Sequence, residues 1–177
     1  MLHELALYLG TRRTGNAKEE LKRIVADPVA KDAREQALIC IAGLGDPVDM
    51  EFLLPFMLED STAAPSLPYH FRTGYGDTAV PYLKMALTTA ARVHTRMQAA
   101  GELVHMRVPD GFVYLHDLAL GTGAAKDAKP ADQTWAGCFA SDFLGLPRKE
   151  TSPQKIAEFI LKRQKELCEP PAEPGTR

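Results

Sequence analysis

Excess basic charge is missing from this chain. The 21 Lys and Arg are balanced by 23 Asp and Glu, a net charge of −2, so electrostatics gives no reason to expect nucleic acid or an anionic membrane as partner. Cysteine is scarce and scattered. Cys40, Cys138 and Cys168 are odd in number and stand in no CxxC or Cys/His ligand spacing, which indicates neither a disulfide framework nor a zinc site. β-Branched aliphatics are thin: Ile and Val reach 13 against 21 Leu and 24 Ala, a bias toward helix because Leu and Ala lose little rotamer freedom there. Long apolar runs are absent too. The stretch Met1 to Leu9 carries Glu4 where a signal peptide would be basic, lacks a cleavage site and is too short to cross a bilayer. The expectation is a cytoplasmic protein. Its 177 residues suit one domain that buries roughly two-thirds of its unfolded surface.

What the chain does contain is a repeat. Shifted by 62 positions it meets itself without gaps at Leu21 and Leu83, Lys22 and Lys84, Arg34 and Arg96, Gln36 and Gln98, Ala37 and Ala99, Pro47 and Pro109, Leu53 and Leu115, and Leu58 and Leu120. Half that offset, 31, also holds: Leu21 steps to Phe52, Leu83 and Tyr114, Val25 to Phe56, Leu87 and Leu118, and Gly45-Asp46 to Gly76-Asp77. The two apolar series lie four residues apart, one turn above each other on a helix. A helix with a single such stripe must stack against neighbours, which is the physical content of a solenoid.

Punctuation agrees with helices. Asp46-Pro47 and Ser152-Pro153 each place an N-cap acceptor before a proline in the first turn. Asn16 and Asp77 are further cap candidates, and Gly43 and Gly45 suit a left-handed helix ending. These signals predict helices near 2–9, 17–26, 30–43, 48–58, 78–88, 91–106, 111–120, 132–144 and 153–168, with no strand. Pro55 should kink or shorten its helix.

The run from Ala33 to Pro47 resembles the HEAT-like repeat of the bilin-lyase type. It has Arg34, the small Ala37 three residues later, the aliphatic Ile41 seven later, then Gly45-Asp46-Pro47 at the turn. The second copy, Arg96, Ala99, Leu103 and Pro109, lacks the Gly-Asp, and the usual Asp six residues before the Arg is displaced to Asp27. The resemblance covers residues 17–120 well and 132–168 loosely. It implies an all-α fold, a short right-handed α-solenoid of HEAT-like helix pairs with armadillo-like helical architecture. On this reading residues 1–168 form a single helical repeat domain and 169–177 a flexible tail. The scaffold hosts many unrelated roles, so it names no function. The last helix mixes Lys155, Glu158, Lys162, Arg163 and Lys165 with Ile156, Phe159 and Ile160, which suits a capping end. The first, with Leu2, Leu5 and Leu9, reads as a contact surface or the cut end of a longer solenoid.

One unit breaks, at 61–76. Pro65 replaces the repeat arginine, Pro68 the buried alanine and Arg72 the buried aliphatic, and two prolines three apart argue against a regular helix, leaving at most one short turn from Pro68. The segment holds Tyr69, His70, Phe71, Arg72 and Tyr75, types that recur at binding surfaces. Two outcomes are open. The rings fold inward and fill the gap, or the segment is a binding loop on a rigid scaffold. Both hold if the rings pack while His70 and Arg72 point outward. A second interruption, 121–131, has the composition of a flexible surface loop.

Catalytic chemistry finds little support. His94, His105 and His116 are spaced by 11, roughly 16 Å of helical rise, beyond shared metal ligation. The iron hydroxylases built on HEAT repeats carry several His-Glu dipeptides, and this chain has only His3-Glu4. No Ser, Cys or Lys sits in a nucleophile motif. Cys40 reads as a core thiol, Arg34 and Arg96 as bonds between neighbouring turns, and Trp135 with Phe139 as core. The expected role is a non-enzymatic scaffold or assembly subunit that binds another protein through a curved helical surface and residues Tyr69, His70, Phe71, Arg72 and Tyr75, with no cofactor. The alternative is a small-molecule (tetrapyrrole-like) binding or lyase-accessory protein. A deep aromatic-walled cavity beside His70 and Arg72 would favour that alternative.

Overall fold

A computed structural model describes residues 2–11, 15–59, 66–150 and 152–169. Of these, 80% are helical and none is in a strand, so the protein is all-α. Among the described residues no helix is long and apolar enough to cross a membrane. The chain divides into two compact units, Met1–Ala99 and Ala100–Arg177. The expected tail beyond Glu169 and the first part of the expected break, 61–65, lie outside the described residues.

The first unit holds α1 (Leu2–Gly10), α2 (Gly15–Ala26), α3 (Lys31–Leu44), α4 (Asp49–Leu58), α5 (Leu67–Tyr75), a 3-10 turn at Gly76–Ala79 and α6 (Val80–Thr89). Helix α7 (Val93–His105) carries the division between the units. In the first unit α3 is the central element, packed by α1, α2, α4 and α5. Its end is set by Gly45, whose φ of 70° is left-handed and whose N–H bonds the Ala42 carbonyl at 3.1 Å. Asp46 does not cap α4 directly. Its carboxylate accepts the Val48 N–H at 3.2 Å inside a turn, and the helix begins at Asp49. Arg34 bonds the Asp27 carbonyl at 3.4 Å, which ties the α2–α3 turn down. Helix α1 buries Ala6 but leaves Leu5, Leu7 and Tyr8 exposed.

The second unit is α8 (Pro109–Leu120), a 3-10 turn at Gly123–Ala125, α9 (Pro130–Phe139) running into a π-helical turn at Ala140–Leu144, and α10 (Pro153–Cys168). Helix α8 is packed by α9 and α10. Gly111 makes a close approach: a Cβ there would stand 2.5 Å from the Ala100 carbonyl oxygen. Ser152 caps α10 as its Ser-Pro pair predicts, its hydroxyl accepting the Lys155 N–H at 3.5 Å. The 121–131 segment is tied to α8, because the Asp117 carboxylate accepts the Ala124 N–H at 3.1 Å.

Of the eight stripe positions, Leu21, Val25, Leu83, Leu87, Tyr114 and Leu118 are buried. Phe52 and Phe56 are half-buried and pack on each other at 5.6 Å. Leu53 and Met57, one residue on, take the core positions of α4. The larger correction concerns 66–75. A nine-residue helix, α5, stands where the two prolines predict at most one turn. Pro68 lies in its first turn, where an N–H has no partner to lose, and the first helical bond runs from His70 N–H to the Ser66 carbonyl at 3.3 Å.

Candidate functional site

Helix α5 sorts its side chains by period. Leu67, Phe71 and Tyr75, four apart, form one inward stripe. Phe71 is fully buried and packs against Tyr75 at 5.4 Å and against Tyr82 of α6 at 5.9 Å. Tyr82 is pinned in turn by donating to the Glu51 carboxylate at 2.7 Å. The same helix turns Tyr69 outward, 47% exposed, with His70 and Arg72 half-buried beside it. The His70 ring meets Tyr69 edge-on at 5.1 Å and 85°. The Arg72 guanidinium carbon lies 5.4 Å from the Tyr69 ring centre, within cation–π range. Of the five residues singled out by sequence, three therefore meet at the surface and two, Phe71 and Tyr75, belong to the core.

Backbone contact fixes α5 in place. Gly74, a helix stop by residue type, lies inside the helix, and a Cβ there would sit 2.2 Å from the Ala42 carbonyl oxygen of α3. Gly45 faces it, with a Cβ that would fall 2.8 Å from the Gly74 carbonyl oxygen. The two glycines let the ends of α3 and α5 touch.

Behind this contact lies a charge cluster that the sequence reading misses. The Asp49 carboxylate is fully buried. Two ammonium groups of α2 approach it, Lys22 at 2.8 Å and Lys18 at 3.1 Å. Their alignment is that of ion pairs rather than directed hydrogen bonds, since neither Asp49 oxygen has a well-angled donor. Lys18 also donates to Asp46 at 2.6 Å; this bond, and then the approach of Asp49, raise the Lys18 pKa, and the bond from Lys18 lowers that of Asp46. Lys22 lies over the Phe52 ring at 5.3 Å. The Tyr75 hydroxyl is buried without a hydrogen-bond partner. Burial, and then the charges of Asp49 and Asp46, push this phenol far above its ordinary range. The signal that could have found the cluster is the pair Lys18 and Lys22, one turn apart on α2 and so able to reach a common carboxylate.

The second unit contains a cavity of about 690 Å³ between α9, the π-helical turn and the start of α10. Its wall includes Gln133, Cys138, Ser141, Asp142, Arg148 and Glu150, and among the described residues no aromatic one. Asp142 and Arg148 pair on its wall at 3.3 Å. The histidines stand apart in role: His94 and His105 are exposed, and half-buried His116 bonds its neighbour Asp117 at 3.2 Å. Cys40 is a half-buried thiol that donates to the Ala6 carbonyl at 3.5 Å.

No family model, curated protein or solved structure matches the chain.

Proposed function

We propose that this chain is a non-enzymatic protein-interaction module, a short right-handed α-solenoid of HEAT-like helix pairs that works as a scaffold or assembly subunit in the cytoplasm. The observation that carries the reading is the split of α5. One face is locked into the core by Phe71, Tyr75 and the Gly45–Gly74 contact, and the other presents Tyr69, His70 and Arg72 as one interlocked group. An aromatic ring with a guanidinium and an imidazole beside it is recognition chemistry. It offers apolar area and polar edges on a helix whose other face is held in the core.

The test is a pair of variants in the full chain. His70→Ala with Arg72→Ala should lose the partner that co-purifies from the native host, while melting temperature holds. A control pair in the 121–131 segment, Thr122→Ala with Lys126→Ala, should keep it. A drop in melting temperature without loss of retention would make α5 a structural plug.

A small-molecule or lyase-accessory role is the second reading. It is favoured by the cavity of about 690 Å³, a volume ordinary for ligand sites. The cavity's lining has no aromatic plate and includes no residue of α5, so a flat tetrapyrrole finds nothing to stack on there. Titration with a linear tetrapyrrole, followed by its absorbance, separates the readings; a saturable spectral change would favour the second.

A further inference from the structure

The cavity of the second unit has a wall chemistry that the reading of α5 does not use. Its floor is apolar, because Ala119 of α8 and Ile156 of α10 line it and are both buried. The π-helical turn at Ala140–Leu144 carries Ser141 and Asp142 onto its wall, and such turns recur at functional sites. The Ser141 hydroxyl oxygen is buried and has no hydrogen-bond partner among the described residues, a state that native folds rarely leave unexplained. The volume of about 690 Å³ lies within the range of small-molecule sites.

The charges on the wall narrow the ligand. Glu150 is engaged: its carboxylate accepts the Ser152 N–H at 3.0 Å and meets the Lys155 ammonium at 3.5 Å. Arg148 and Asp142 are joined at one contact, Nη2 to Oδ1 at 3.3 Å, and their side chains keep 86% and 50% of their surface. The second Asp142 oxygen and the rest of the guanidinium fork bond no other side chain among the described residues. An exposed pair of this kind contributes at most about 1 kcal/mol, so a ligand can engage both partners at little loss. The open charges are then one of each sign. A ligand with a single charge is attracted by one and repelled by the other. A ligand with both signs on one carbon is attracted by both. Its carboxylate matches the planar guanidinium fork, and its ammonium meets the Asp142 carboxylate.

We propose that this cavity binds a free α-amino acid with an aliphatic side chain, its carboxylate on Arg148, its ammonium on Asp142 and its side chain over Ala119 and Ile156. The site is independent of the α5 face and holds whichever reading of that face is right. It differs from the tetrapyrrole reading in its ligand, so the two titrations fail separately.

Cys138 is exposed and lines the cavity, so its thiol reports occupancy. In the full-length chain L-leucine, L-isoleucine, L-valine or L-methionine should slow alkylation of Cys138 by iodoacetamide several-fold and saturably, read by peptide mass mapping. Half-protection is expected at about 1 mM or below, the weak end of specific binding. The half-buried Cys40 and Cys168 should keep their rates. L-Leucinamide offers the ammonium alone and N-acetyl-L-leucine the carboxylate alone, as the two ends of a peptide do, and neither should protect. Arg148→Gln and Asp142→Asn, at exposed positions and checked for fold by circular dichroism, should each abolish protection, whereas Lys162→Gln on the outer side of α10 should keep it. Protection by none of the four amino acids overturns the proposal. So does equal protection by L-leucinamide or N-acetyl-L-leucine, which would make this a site for one charge, and so does protection that survives both Arg148→Gln and Asp142→Asn.

Discussion

The buried cluster around Asp49 predicts an asymmetry. Removing both lysines by Lys18→Met with Lys22→Met leaves a carboxylate with no exposed surface and no counter-charge. Stranding a buried charge in this way costs about 3–5 kcal/mol. Removing the carboxylate instead, by Asp49→Asn, leaves two ammonium groups whose side chains keep 21% and 26% of their surface and can turn to water. The loss is then closer to that of a hydrogen bond to a charged group, about 1.5–3 kcal/mol. The combination of all three positions, Lys18→Met, Lys22→Met and Asp49→Leu, should recover much of the first loss, because no unpaired charge remains. Urea unfolding of the four chains by far-ultraviolet circular dichroism reads these differences as shifts of the midpoint. The order expected is wild type, then Asp49→Asn, then the double lysine variant, with the triple variant above the double. If Asp49→Asn costs more than the double lysine variant, the carboxylate is not buried as described and the reasoning fails.

The same contacts predict other outcomes. Tyr75→Phe removes a buried hydroxyl without a partner and should leave the melting temperature unchanged or raise it. Gly74→Ala forces a methyl onto the Ala42 carbonyl and should lower stability by about 1–3 kcal/mol or more, as overpacking does; an unchanged urea midpoint would contradict the α3–α5 contact. Phe71→Ala should cost about 3–5 kcal/mol while Tyr69→Ala, on the other face of the same helix, stays within about 0.5 kcal/mol, both read by thermal melting. The Asp46 pKa is lowered from 3.8, so the charged carboxylate stabilises the fold above that pH and loses this as pH falls through its folded value. The stability gap between wild type and Asp46→Asn should be constant above about pH 5, and should close in acid, measured by urea unfolding across the pH range.

Much of the fold is legible in residue spacing. The Leu21 and Val25 series and the Gly45, Pro109 and Ser152-Pro153 signals locate helices that the structure places within a few residues. Helix α5 escapes the sequence because Pro68 looks like a breaker, whereas its position in the first turn makes it a starter. Gly74, a stop by residue type, is needed for packing, a reason visible only once α3 lies beside it. The site is half legible. Residue types mark 69–75 as unusual, but which side chains face out depends on a helical period that the two prolines argue against. The Asp49 cluster is hidden because a charged residue is ordinarily exposed, and its partners lie 27 and 31 positions away. Phe143 continues the spacing of four from Trp135 and Phe139, but the π-helical turn that carries it leaves no mark in the sequence.

The most direct test of the central claim is partner retention by the His70→Ala and Arg72→Ala chain, measured against the Thr122→Ala and Lys126→Ala chain. The account predicts that the α5 variant loses its partner and melts with the wild type while the control keeps both. Retention by the α5 variant equal to that of the control would contradict it.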